Sequence, residues 1–198
     1  MKLVKSSVWV CVVLSLGVLL TGCAKPPDAE REAAKKAMES ALSAGADKYA
    51  KADLEPASKN WESAESQMKE KKYKEAKEGY INAKAGFEKA AAAVAAGKKA
   101  VADQASASLT ALQGAWKNLE VKAKKVEKKL KDKKEAWMTD AKAISEGLGK
   151  AKEMIANDPI GAKAKLDEMK ALVERWNNTF KEMTAPAAKS APTPKKKK

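Results

Sequence analysis

Cys23 is the residue of this chain whose type and setting invite covalent chemistry. It closes the stretch Leu20-Thr21-Gly22-Cys23, so a thiol follows small residues that leave the backbone open to a peptidase. Upstream stand Lys2 and Lys5, then an apolar run over residues 8–20, thirteen positions long. A helix that crosses a bilayer needs roughly 20 apolar residues. This run is too short for that; behind lysines and ahead of small residues it reads as a secretory signal. Other chemistry is thin. Histidine is absent, and Cys11, the second of two cysteines, falls inside the leader. Zinc sites of the His/Cys kind, Ser-His-Asp and Cys-His catalysis and a disulfide framework are excluded. No glycine-rich phosphate loop occurs. A carboxylate or lysine would need a real pocket to act, and the sequence singles none out. The reading is no catalytic residue, no metal and no cofactor.

Leu20-Thr21-Gly22-Cys23 resembles the lipobox of bacterial lipoproteins. There the cysteine thiol receives a diacylglycerol and the preceding peptide is then removed. The resemblance implies cleavage between Gly22 and Cys23, acyl chains on Cys23, and attachment to a membrane through that lipid. In Gram-negative lipoproteins an aspartate after the cysteine commonly retains the protein in the inner membrane. Here Ala24 follows, which by the same resemblance places the chain on the outer membrane, facing the periplasm.

The charges come next. The formal net charge is +14 over 198 residues, and loss of Lys2 and Lys5 with the leader leaves +12. Residues 117–134 carry nine lysines against Glu120, Glu127 and Asp132. Such a run reads first as a solvated helix face and second as a polyanion contact. Lys195, Lys196, Lys197 and Lys198 close the chain after Pro186, Pro192 and Pro194. That segment cannot bury a core and is predicted to be disordered. Its four lysines suit peptidoglycan or an anionic lipid surface, at roughly 1 kcal/mol per lysine near a charged membrane. Nucleic acid is not expected: an exported chain does not meet it, and no interleaved aromatic platform is present. A lipidated N-terminus, heptad helices and a terminal lysine also resemble the small wall-linked outer-membrane lipoproteins. That resemblance implies Lys198 as a point of covalent attachment to peptidoglycan.

The elements that carry these groups read as helices throughout. Alanine and lysine dominate, and aromatics are only 5%, so long surface-exposed helices are expected. Asp28 is a candidate cap for a first helix with Ala34, Met38, Ala41 and Leu42 on its apolar side, ended by Gly45. A second helix is expected near Asp53, with Pro56 in its first turn and the stripe Leu54, Ala57, Trp61, Ala64, Met68. A polar turn at 69–72 leads to a third stripe: Tyr73, Ala76, Tyr80, Ala83, Phe87, Ala90, Val94. The two stripes should face each other as an antiparallel hairpin. From Ala90 the steps lengthen to an eleven-residue period through Val94, Lys98, Val101, Ala105, Leu109 and Leu112. A heptad follows at Leu109, Leu112, Trp116, Leu119, Ala123, Val126 and Leu130. Lys122, Glu127, Lys129 and Lys134 flank it and leave self-pairing and folding back equally open. If residues 73–134 form one helix, it is on the order of 90 Å long; a bend near Gly97 or at 131–134 would shorten it. Asn157-Asp158-Pro159 is the clearest break. The helix before it offers Ala141, Ile144, Leu148, Ala151, Met154 and Ile155. The helix after it offers Ile160, Ala164, Leu166, Met169, Leu172, Val173, Trp176 and Phe180. These predict a second antiparallel hairpin.

The order of a lipidated cysteine, an Ala-rich helix, Ser43-Ala44-Gly45-Ala46-Asp47-Lys48-Tyr49-Ala50, then Asp53-Leu54-Glu55-Pro56-Ala57 and Lys72-Tyr73-Lys74-Glu75-Ala76, carries a second resemblance. It is similar to the periplasmic helical lipoproteins with domain of unknown function 4398, over about residues 23–103. The resemblance implies fold and location; the family brings no assigned activity. The expected organisation is therefore a signal (1–22), a lipidated linker (23–27), a helical hairpin domain (28–103), a basic coiled-coil-like helix (104–134), a C-terminal hairpin (135–183) and a Pro/Lys tail (184–198). The expected fold is all-α, elongated hairpins joined by a long, partly heptad-patterned helix. The expected function is a membrane-anchored, non-catalytic spacer or scaffold. The alternative is an adaptor of a periplasmic assembly that uses Trp116, Trp137 or Trp176 as partner contacts.

Overall fold

The computed structural model describes residues 25–185, and every regular element among them is helical. In chain order these are α1 (Asp28–Ala44), α2 (Ala46–Tyr49), α3 (Lys51–Lys69), α4 (Tyr73–Leu130), a 3-10 turn (Lys131–Lys133), α5 (Lys134–Met154) and α6 (Pro159–Thr184). The protein is all-α, built of helical hairpins joined through one long helix, as the periodicities predict. It divides into two compact units between Gly97 and Lys98, inside α4. Buried positions on α4 stop at Ala90 and resume at Ala105, with Val94, Lys98 and Val101 half-buried between them.

The first unit packs α1, α3 and the early part of α4. Gly45 ends α1 at φ +94°, a left-handed conformation that a side chain disfavours. The ion pairs fix the directions. Arg31 near the start of α1 meets Glu65 late in α3, Lys77 meets Glu30, and Lys89 meets Asp53. So α3 runs against both α1 and α4. The core is largely alanine (Ala34, Ala41, Ala57, Ala64, Ala76, Ala83), with Tyr80 and Phe87 as its large members. Alanine favours the helix and lets backbones approach. Gly79 and Gly86 sit opposite Ala64 and Ala57; a Cβ on either glycine would lie 2.8 Å from the alanine Cβ.

The second unit packs residues 98–130 of α4 with α5 and α6. Lys131 takes φ +43° and turns the chain back after Leu130. Asp158 caps α6 by accepting the Gly161 N–H at 3.0 Å, and Pro159 opens the helix. The heptad residues Leu109, Leu112, Leu119, Val126 and Leu130 are buried with Ile144, Leu148, Leu166, Met169, Val173 and Phe180 in one core. The seam that left two partners open therefore folds back on the chain's own helices.

Several boundaries differ from expectation. Asp28 is the first helical residue and caps nothing; Arg31 N–H donates to the Pro27 carbonyl at 3.0 Å instead. Because α3 starts at Lys51, Pro56 stands beyond its first turn, on the exposed side where water can serve the unpaired carbonyl. α4 continues through Gly97 without interruption and gives way to the 3-10 turn after Leu130. On α6, Ile160 and Ala164 are exposed, whereas Pro159 and Ala162 are buried. The spacing of Leu166, Met169, Val173, Trp176 and Phe180 extends back to Ala162 and Pro159 at helical period, which the run of apolar letters disguised.

Candidate functional site

The hairpin end of the second unit gathers positive charge. Residues 122–135 hold eight lysines against Glu127, Asp132 and Glu135. The turn at Lys131 brings the lysines of α4 and α5 round one exposed end. α6 runs alongside α4 in the same direction and finishes at this end. Lys122 Nζ donates to Asn177 Oδ1 at 2.6 Å, and Lys129 Nζ donates to the Met183 carbonyl at 3.1 Å. The second contact serves a carbonyl at the open C-terminal turn of α6 with a positive group, which both the hydrogen bond and the helix dipole favour. Lys134 Nζ lies 3.4 Å from Glu127 Oε1. Lys124, Lys125, Lys128, Lys131 and Lys133 form no ion pair among the described residues.

Beside these lysines, α4 and α5 leave an open cleft of about 480 Å³ lined by Trp116, Trp137 and Met138, whose charged lining is Lys124 and Lys134 together with Glu120 and Glu127. Met138 is 62% exposed. Trp137 is half-buried, and its ring lies 5.7 Å from Trp116, 5.2 Å from Trp176 and 5.0 Å from Phe180. Trp116 and Trp176 are buried core members. The structure thus brings the three tryptophans together, but as packing, and only Trp137 and an edge of Trp116 border the cleft.

Two polar junctions escaped the sequence reading. Arg31 and Arg175 are the chain's two arginines, against 38 lysines. Arg31 donates from Nε to Glu65 Oε1 at 2.6 Å and from Nη2 to Oε2 at 3.0 Å; the Tyr80 hydroxyl donates to the same Oε1 at 2.7 Å. The Arg31 guanidinium also lies 6.0 Å from the Trp61 ring centre. In the second unit Arg175 donates to Asp140 Oδ2, which also accepts the Trp176 Nε1–H at 2.8 Å. Each arginine therefore shares one carboxylate with a buried aromatic from the core. The Arg31 bond holds the Glu65 carboxyl below its ordinary range. Burial, then the bond to Glu65, pushes the Tyr80 hydroxyl up to about 12. Arginine's planar fork suits these junctions where a lysine point charge does not. Its rarity in a lysine-rich chain was the available signal.

The predicted site residues Gly22, Cys23, Lys195, Lys196, Lys197 and Lys198 lie outside the described residues, as do the leader and the tail beyond Ala185; Thr184, expected to open the tail, is the last residue of α6. Among the described residues there is no cluster of His, Cys, Asp and Glu that could hold a metal ion. No described helix is long and apolar enough to cross a membrane. No protein-family model, curated protein or solved structure matches this chain.

Proposed function

We propose that this protein is a non-catalytic envelope lipoprotein. Residues 1–22 direct export, Cys23 carries the lipid, and the helices serve as a membrane-anchored spacer or scaffold. Lys195 to Lys198 contact peptidoglycan or another anionic surface. The observation that carries this reading is the stretch Leu20-Thr21-Gly22-Cys23 behind a short apolar leader. The all-helical body is in keeping with a spacer or scaffold: both apolar seams pack within their own units. Of the three tryptophans that the adaptor alternative would use, Trp116 and Trp176 are buried and only half-buried Trp137 still offers a partner contact.

Mass analysis of the envelope-associated protein tests the reading. Acylated Cys23 as the new N-terminus is the expected result, with Cys23→Ala giving an unprocessed precursor. Normal processing of Cys23→Ala, or an unacylated full-length chain in the cytosol, overturns it. Retention of the intact protein on purified cell wall should fall with salt and with replacement of the four terminal lysines by serine. A search for muropeptide on Lys198 after muramidase release decides covalent attachment.

A further inference from the structure

We infer that the hairpin end of the second unit is itself a docking surface for an anionic phospholipid bilayer. This goes beyond the anchor and the tail, and it rests on described residues alone.

The charge is the first argument. Lys124, Lys125, Lys128, Lys131 and Lys133 are exposed and unpaired among the described residues, at one end of one unit. Each lysine that reaches an anionic leaflet raises affinity roughly fivefold.

The apolar groups select the partner. Met138, 62% exposed, lines the cleft with half-buried Trp137; Lys124 and Lys134 share that lining with Glu120 and Glu127, and the unpaired lysines of the turn lie beyond it. Val121, 53% exposed, lies one helical turn from Lys117 and from Lys124. Aliphatic and aromatic side chains among lysines suit the boundary between headgroups and acyl chains, and lysine stems can lie along that boundary with their ammonium groups outward. An acidic wall polymer or a nucleic acid backbone satisfies the lysines and gives Met138 nothing.

The third argument is continuity. α6 ends at this same end, held there by Lys129 on the Met183 carbonyl. Ala185, the last described residue, therefore lies beside the basic surface.

The test uses the mature chain, residues 23–198, carrying Cys23→Ser, so that neither the leader nor an acyl chain contributes. Binding is measured to vesicles of phosphatidylcholine alone and of phosphatidylcholine with phosphatidylglycerol. The parent should prefer the anionic vesicles. Lys124→Glu/Lys128→Glu/Lys131→Glu/Lys133→Glu should weaken that binding by at least a hundredfold. Circular dichroism should be unchanged, because all four positions are exposed. Met138→Ser should weaken it severalfold, by an amount that salt does not abolish. Serine at the four terminal lysines should reduce binding yet leave the preference in place. Unchanged binding by the quadruple variant overturns the proposal. So does an anionic preference that vanishes with the tail alone. A Met138→Ser variant that binds as the parent does, with equal retention on purified wall polymer, assigns the surface to a polyanion and also overturns it. Since Cys23 takes no part, none of these outcomes bears on acylation.

Discussion

In the first unit the core is alanine closed around Tyr80 and Phe87, with Gly79 and Gly86 pressed on Ala64 and Ala57. The second unit fills its interior with Leu119, Leu130, Ile144, Leu166, Trp176 and Phe180. One long helix serves both, so the difference lies in the side chains and in how near the neighbouring backbones come. Where the core is made of methyl groups, stability comes from close approach and little can be enlarged. Where it is made of large side chains, stability comes from buried volume and little can be removed. The two units should therefore fail to opposite kinds of substitution.

Truncation should show the larger effect. Phe180→Ala in the second unit should cost about 3–5 kcal/mol, and Leu119→Ala about 2–5 kcal/mol, through lost transfer energy and the cavity left behind. Ala57→Gly in the first unit removes one methyl and adds backbone freedom, and should cost only about 1 kcal/mol. Hydrogen exchange resolved along the chain measures each unit separately. Equal losses in the two units would remove the distinction.

Enlargement should reverse the order. A Cβ at Gly97 would stand 1.8 Å from the Tyr49 carbonyl oxygen, and at Gly86 2.8 Å from Ala57 Cβ and 3.2 Å from its Cα. Carbon atoms pack at roughly 3.5–4.0 Å, and neither obstacle can swing aside. Gly97→Ala and Gly86→Ala should each destabilise the first unit by about 1–3 kcal/mol, with Gly97 at the upper end. Gly147 in the second unit is also crowded, but by the side-chain end of Met169, at 2.2 Å from its sulfur. Methionine has rotatable bonds to spare, so Gly147→Ala should cost less than either. Denaturant melts of the three variants rank them; Gly147→Ala as the most damaging would invert the argument.

The arginine junctions sharpen the comparison at lower energy. Arg31→Lys loses the two-pronged bond to Glu65 and should cost about 1 kcal/mol, the figure for a partly exposed pair. Its pH signature is more specific. The folded state lowers the Glu65 pKa, so its stabilisation is present above the unfolded carboxylate value and is lost as pH falls through the folded one. Tyr80 is raised to about 12, so its contribution is present below the ordinary phenol value of about 10 and is lost as pH climbs toward 12. Glu65→Gln should flatten the acid limb of the first unit's stability profile and narrow the alkaline one. An unchanged acid limb would show that Glu65 is not the group responsible.

Much of this was legible in the letters, and the parts that were not share a cause. Helical period gave Tyr80, Phe87, Leu119 and Leu130 as core because large apolar residues announce their face. Asn157-Asp158-Pro159 gave the last turn because capping is local chemistry. Whether the seam from Leu109 to Leu130 pairs with itself or folds back depends on what lies across from it, and that partner is α5 and α6, reached through a turn that a lysine makes at φ +43°. Gly97 looked like a weak point for the same reason: its helix penalty is local, whereas the Tyr49 carbonyl that requires it comes from elsewhere in the chain. Gly79 and Gly86, seven residues apart like Ala57 and Ala64, carried a readable signal that a search for large residues passes over. The proposed site divides similarly, since lysine number is a sequence property and their gathering at one turn is not.

Gly114 supplies the smallest expected effect and the one with opposite sign. Nothing lies within 4 Å of a Cβ built there, nor at Gly149. Both are helical and exposed. With no neighbour to displace, alanine brings only its lower backbone entropy in the unfolded chain, so Gly114→Ala should stabilise the second unit by about 0.5–1 kcal/mol. The same exchange in the first unit's part of α4, at Gly79, meets Ala64 and should destabilise. One substitution, made in one helix, thus changes sign between the units. If Gly114→Ala stabilises the isolated protein but weakens its recovery with the envelope, a partner approaches that face closely enough to need the bare backbone; if recovery is unaffected, the face of α4 at Gly114 stays open to solvent there too.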